Sequence, residues 1–190
     1  MTVRSLVGVA TLVISAVSAA TSSAYAQDTV AGVGEAARHA REGFWIGFGF
    51  GAGSLGCEGC DDRETGFSGY LKLGSTINPH VLLGAETNGW VKSEDGVNFM
   101  HGNLSAVAYL YPSVTNGFYL KGGLGVATNR IEAGDFGTAS ERGPGAVLGI
   151  GYDIRIRNNL SLTPYANALG GKFDSGNTNL IQLGLGFTWH

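Results

Sequence analysis

From Leu180 to His190 the chain reads LIQLGLGFTWH. Successive side chains of an extended backbone point to opposite faces, so Ile181, Leu183, Leu185, Phe187 and Trp189 share one side, and Gln182, Gly184, Gly186 and Thr188 share the other. One face is bulky and apolar, while the other is small or polar. The same period of two runs through residues 145–156 (GAVLGIGYDIRI). There Ala146, Leu148, Ile150, Tyr152, Ile154 and Ile156 oppose Val147, Gly149, Gly151, Asp153 and Arg155. In residues 118–126, Phe118, Leu120, Leu124 and Val126 oppose Tyr119, Lys121, Gly123 and Gly125.

Working outward from these segments, eight alternating stretches are predicted at residues 43–53, 65–77, 81–92, 98–111, 118–130, 145–156, 160–171 and 180–190. Each is roughly 10 residues, the length a tilted strand needs to cross a bilayer. A soluble sandwich alternates as well, so the character of the second face has to decide. That face is mostly Gly, Ser, Thr and Asn with a few charges, which suits the crowded interior of a narrow barrel wetted by lipid outside. The connections after the second, fourth and sixth stretches read as tight turns, at residues 78–80, 113–117 and 157–159. Those after the others read as longer polar loops. The expectation is an all-β chain: an eight-stranded antiparallel up-and-down transmembrane barrel with both termini periplasmic.

Composition agrees with that class. Of 190 residues, 32 are Gly and only 14% are charged, and the glycines lack the three-residue period of collagen. A net charge of −3 offers nothing to nucleic acid. Residues 1–26 read as a signal peptide, with Arg4 before an apolar run and Ala24-Tyr25-Ala26 as a small-x-small cleavage site. That run is too short for a spanning helix. Residues 27–42 then form a helix-compatible periplasmic lead-in, and 43–190 the barrel domain.

The run from Gly143 to Phe173 (GPGAVLGIGYDIRIRNNLSLTPYANALGGKF), followed by NLIQLGLGFTW, resembles the last three strands of the small outer-membrane β-barrel proteins related to the OmpA barrel and to OmpX. The resemblance extends over residues 43–190, weakly before 117. It implies a Gram-negative outer-membrane location, contact with outer-membrane lipid, and insertion by the barrel-assembly machinery, which in that family reads an aromatic-rich last strand. Leu183, Leu185, Phe187 and Trp189 match that signal. The chain departs from the pattern at its end, where Trp189 is followed by His190. Such membership names an architecture and not an activity.

Several residues are candidates for chemistry. Cys57 and Cys60 (CEGC) stand in the first connection, and a disulfide is the favoured reading in an exported chain. A surface metal site completed by Asp61, Asp62 and Glu64 is the alternative. His39, His80, His101 and His190 are scattered, and none has a serine placed obviously within reach, although His101 and Ser105 share a face. Parity puts Lys72, Glu86, Lys121, Asp153 and Arg155 inside the barrel, where charges of both signs should pair. Counting from the turn at residues 78–80 sets Lys72 opposite Glu86, and Lys121 becomes the expected partner of Asp153. This lumen network reads as a structural plug, with a gated narrow pore as its alternative. No catalytic group, metal or cofactor is assigned. The expected role is non-enzymatic, in envelope integrity or in surface interaction with an unspecified extracellular ligand. A small-solute pore and a lipid A-modifying enzyme remain as the alternatives.

Overall fold

The computed structural model describes residues 41–60, 62–132 and 137–190. The signal-peptide and most of the lead-in readings therefore lie outside the described residues. Nine strands follow one another: β1 (Phe44–Cys57), β2 (Glu64–Asn78), β3 (Val81–Glu94), β4 (Val97–Leu110), β5 (Phe118–Glu132), β6 (Thr138–Tyr152), β7 (Ile154–Arg157), β8 (Leu160–Phe173) and β9 (Gly176–Trp189). Strands adjacent in sequence pair antiparallel except β6 and β7, which lie end to end along β8, and β1 closes onto β9. Since β6 and β7 are one stave interrupted at Asp153, the wall is a closed eight-stranded barrel.

Alternation places the side chains as the sequence pattern requires. Phe48, Phe50, Leu71, Leu73, Leu124, Leu148, Ile150, Leu183 and Leu185 stand exposed on the outside, whereas Trp45, Tyr70, Glu86, Tyr109, Tyr119 and Lys121 are buried inside. An apolar exterior around a buried polar and aromatic interior inverts the pattern of a water-soluble domain. The lumen face of β1 is a row of glycines, Gly47, Gly49, Gly51 and Gly53. A Cβ at Gly49 would lie 2.9 Å from a ring carbon of Tyr165. Glycine there lets two tyrosine rings, Tyr70 and Tyr165, occupy the space a wall residue would fill.

Two turns at the end carrying Arg41 and His190, here the near end, share one device. Asn78 pairs with Val81 across a two-residue turn, and the register then shifts at Ile77, so that Thr76 faces Leu82 and Lys72 faces Glu86. The Asn78 side chain accepts from the backbone of His80 at 2.9 Å and of Val81 at 3.0 Å, fixing the turn. The sequence reading assumed a three-residue turn. The bulge supplies the missing residue and leaves the parity intact. Arg157 and Leu160 repeat the arrangement, with the shift at Ile156.

The opposite, far end differs from expectation. Most staves run 14 or 15 residues, not about 10, and the expected longer loops after β1, β3 and β8 contract. The β3–β4 link is the pair Asp95-Gly96, both with positive φ (49° and 79°), as a tight hairpin turn demands. By the strand bounds, the longest connection is residues 111–117, at the near end. The cause is a change in the outward face. Beyond Phe67, Val91 and Met100 it turns to Thr65, Ser93, Asn98 and Thr128, which removes the contrast with the lumen face and hides the strand from a hydropathy reading. Hydrogen-bonded pairing continues past the apolar belt regardless.

Candidate functional site: a filled lumen and a pocket at its far mouth

Three layers fill the barrel. In the middle, Glu86 is fully buried and accepts from Lys121 Nζ at 2.5 Å, from Asn88 Nδ2 at 2.8 Å and from the Tyr109 hydroxyl. Lys72, directly across the ladder from Glu86, has no carboxylate within salt-bridge distance among the described residues. Its ammonium sits instead 5.0 Å from the ring centre of Tyr109, 5.4 Å from Tyr119, 5.6 Å from Tyr70 and 5.9 Å from Trp45. Such a cage replaces water with ring faces that carry partial negative charge. The cage rings also pack on one another: Trp45 against Tyr109 at 5.2 Å and Tyr109 against Tyr119 at 5.3 Å, both edge-on.

The near layer is built on the break in the β6–β7 stave. Asp153 interrupts the ladder, and its N–H turns to the carbonyl of Gly117 at 2.9 Å. Its carboxylate accepts from Tyr111 at 2.7 Å and Thr163 at 2.6 Å, with His190 Nε2 at 3.8 Å. Gly117 lies so close that a Cβ would stand 2.8 Å from Asp153 N, so the approach requires glycine. Arg41 closes this mouth. Its guanidinium stacks 3.7 Å above the Tyr111 ring and donates to Asn116 O at 2.7 Å. Arg155 stands apart at the rim, donating to Asn158 O at 2.8 Å.

The far layer is uncharged. Asn167 donates to Gln182 at 3.3 Å, Gln182 donates to Gly89 O at 3.2 Å, and Trp90 donates to Gly53 O at 3.0 Å. His101 is buried with its Nδ1 2.6 Å from Asn129 Oδ1, while Ser105 bonds to Asn103, so the histidine and serine that share a face do not meet. Above Trp90 the mouth widens into a cavity of about 330 Å³, whose wall includes Leu55, Phe99, Ile131, Asn129 and Thr178. Beside it, Cys57 and Cys60 are disulfide-bonded across Glu58-Gly59, with Cα atoms 5.3 Å apart. The cysteines are therefore not thiolates available to a metal. Asp61 lies outside the described residues, and Glu64 is engaged by Lys92. Among the described residues no three His, Cys, Asp or Glu side chains gather as a metal site.

No family model matches the chain, and no curated protein matches it in sequence. Solved structures do match in shape. Neisserial surface protein A superposes with a TM-score of 0.60 at 16% identity, over 77% of this chain and 96% of that one. Ail, the attachment invasion locus protein of Yersinia pestis, gives 0.56 at 16% identity, over 78% of this chain and all of Ail. A second Ail structure, in complex with the heparin analogue sucrose octasulfate, gives 0.55 at 17% identity over the same 78%. This chain has the fold of the small outer-membrane β-barrels.

Within that outer-membrane barrel fold, the inward charges are brought together differently from the sequence expectation. Lys72 and Glu86 do face each other, but Glu86 is bonded to Lys121, two strands away from β3, and Asp153 has hydroxyl partners and a histidine instead of Lys121. Register places backbones, whereas side-chain length and the aromatic filling decide which charges meet. The lumen is also less polar than expected, because Trp45, Trp90 and five tyrosines, Tyr70, Tyr109, Tyr111, Tyr119 and Tyr165, occupy it. Parity already pointed these rings inward, and the glycines opposite Trp45, Tyr70, Tyr119 and Tyr165 were the available signal. His190, inside the expected last stretch but read only as one of four scattered histidines, was not linked to Asp153, and Arg41 was missed because it lies just outside a strand.

On the final strand, Leu183 and Leu185 stand exposed, and Phe187 and Trp189 both lie 5.8 Å from Phe48 on β1. The barrel thus closes its β9–β1 seam with an aromatic cluster on the outside, at the near end.

Proposed function

We propose that the chain serves as a non-enzymatic structural and surface-interaction protein of a Gram-negative outer membrane. In this reading the near end, with both termini, faces the periplasm, and the far end faces outward. The final strand, through Leu183, Leu185, Phe187 and Trp189, is the segment the barrel-assembly machinery reads. The observation that carries the proposal is the filled lumen: the Arg41–Tyr111 cover, the Lys72 aromatic cage, the Glu86–Lys121 pair and the layer of Trp90, Gln182 and Asn167 leave the interior occupied by side chains from the near mouth up to Trp90. An eight-stranded barrel is only wide enough to be filled in this way. The apolar belt supports the bilayer location, since so many exposed leucines and phenylalanines on a water-facing surface would drive association. The similarity in shape to an attachment invasion locus protein and to a surface protein supports the surface-interaction class. Against a hydrolytic role stands the separation of His101 from Ser105 by their own asparagine partners.

Planar-bilayer recording of the refolded barrel tests the reading. A silent bilayer at protein densities that give heat-modifiable, folded barrel is expected. Stepwise openings would overturn the closed lumen and establish the pore instead.

A further inference from the structure

The cavity at the far mouth is not explained by the plug beneath it. Its deepest residue, Trp90, has its indole N–H committed to Gly53 O at 3.0 Å, so it offers the cavity only its ring. Leu55, Phe99 and Ile131 bring apolar side chains to the same space from β1, β4 and β5. The charges at its rim are already satisfied by one another: Lys92 lies between Glu64 and Glu94, at 2.5 Å from the latter, and Arg130 is 2.6 Å from Glu132. An anion would have to break these pairs to bind. Two polar groups on the wall are uncommitted among the described residues. Asn129 spends its Oδ1 on His101 at 2.6 Å, leaving its amide nitrogen, and the Thr178 hydroxyl is buried without a partner.

At about 330 Å³, the cavity is within the range of small-molecule sites, and its make-up of apolar and aromatic walls with few placed polar groups is typical of them. The geometry points to a binding site for a neutral, ring-bearing, mainly apolar molecule carrying one hydroxyl or carbonyl oxygen, such as a phenolic or naphtholic compound. The ring packs against Trp90 and Phe99, where aromatic pairs gain beyond simple burial. Its oxygen accepts from Asn129 or pairs with Thr178, replacing a partner those groups lack. Because the layer of Trp90, Gln182 and Asn167 closes the bottom, a ligand leaves by the mouth it entered, which makes the site one of capture and not of passage. The proposal rests on the closed-lumen reading in that respect alone. Binding is measured without reference to conductance, so either can fail separately.

The test uses the full barrel in lipid nanodiscs, labelled with 5-fluorotryptophan and titrated with 1-naphthol. The protein's three tryptophans, Trp45, Trp90 and Trp189, report on the lumen, the far mouth and the lipid-facing seam in turn. A saturable shift of the Trp90 fluorine signal is expected, at a Kd of order 10⁻⁴ M or tighter, with Trp45 unmoved and Trp189 drifting only linearly as naphthol partitions into lipid. Ile131→Trp, which fills the cavity, should weaken binding at least about tenfold, and Thr178→Phe should do the same if the first variant folds poorly. Naphthalene, lacking the oxygen, should bind several-fold more weakly than 1-naphthol. The proposal is overturned by a Trp90 signal that does not move, by one that moves only linearly with Trp189, or by filled variants that bind as the parent does. Equal affinity for naphthalene overturns the assigned ligand class.

Discussion

Removing the charge of Glu86 or of Lys121 singly should destabilise the barrel, and removing both should cost clearly less than the two single losses added together. Glu86 Oε1 lies 2.5 Å from Lys121 Nζ, and both side chains are almost wholly inaccessible, at 0% and 2% exposure. Breaking a buried pair by deleting one partner costs about 3 to 5 kcal/mol, because the remaining charge stays desolvated. Lys121→Met should fall at the low end of that range. Its loss leaves Glu86 the amide of Asn88 at 2.8 Å and the Tyr109 hydroxyl, and Lys72 remains nearby. Glu86→Gln should fall toward the high end, since two lysines then share an interior with one fewer carboxylate. The double variant keeps the volume while removing both charges, so about 2 to 3 kcal/mol of coupling is expected between these positions. Lys72→Met provides the control. Its ammonium is held by rings instead of by Glu86, so its coupling to Glu86→Gln should stay below about 1 kcal/mol, even though the two residues are direct cross-strand partners. Urea unfolding in lipid vesicles, followed by tryptophan emission and by the heat-modifiable gel shift, measures all three singles and both doubles. A larger coupling for Lys72 than for Lys121, or additivity in both cycles, would refute the side-chain pairing while leaving the backbone register standing.

Three further outcomes follow from the ends and the seam. Trp189→Asp should reduce the amount of assembled barrel strongly, whereas Thr188→Ala, on the buried lumen face 3.2 Å from Thr163, should leave assembly near the parent level in the outer-membrane fraction; equal losses would mean that the two faces are misassigned. Cys57→Ser with Cys60→Ser should cost at most ~2 kcal/mol and leave the gel shift intact, because the crosslink closes a very short loop at the far edge of the ladder; a double variant that no longer folds would contradict this. Arg41→Ala removes the stack on Tyr111 and the bond to Asn116, and should cost about 1 to 2 kcal/mol while raising amide exchange selectively in residues 111–117; unchanged exchange there would show that Arg41 does not cover the near mouth.

The eight staves, the inside and outside faces and the closing strand were legible in the sequence, because a lipid-facing barrel imposes one repeating contrast: a large apolar side chain outward, a small or polar one inward. Lys72, Glu86, Lys121, Asp153 and Arg155 could be placed on the inner face by parity alone, and a turn count was enough to set Lys72 opposite Glu86. Tertiary structure decided what the contrast does not encode. Beyond the apolar belt the outward face becomes polar and its contrast with the inner face is lost, so the far ends of the strands, and with them the mouth cavity above Trp90, vanish from a hydropathy reading although the ladder persists. The partners of the lumen charges depend on how far lysine reaches across a space crowded by tyrosine rings from strands distant in sequence. Glycines opposite Trp45, Tyr70, Tyr119 and Tyr165 make room for that crowding, and only closure of β1 onto β9 brings those rings and charges into one interior.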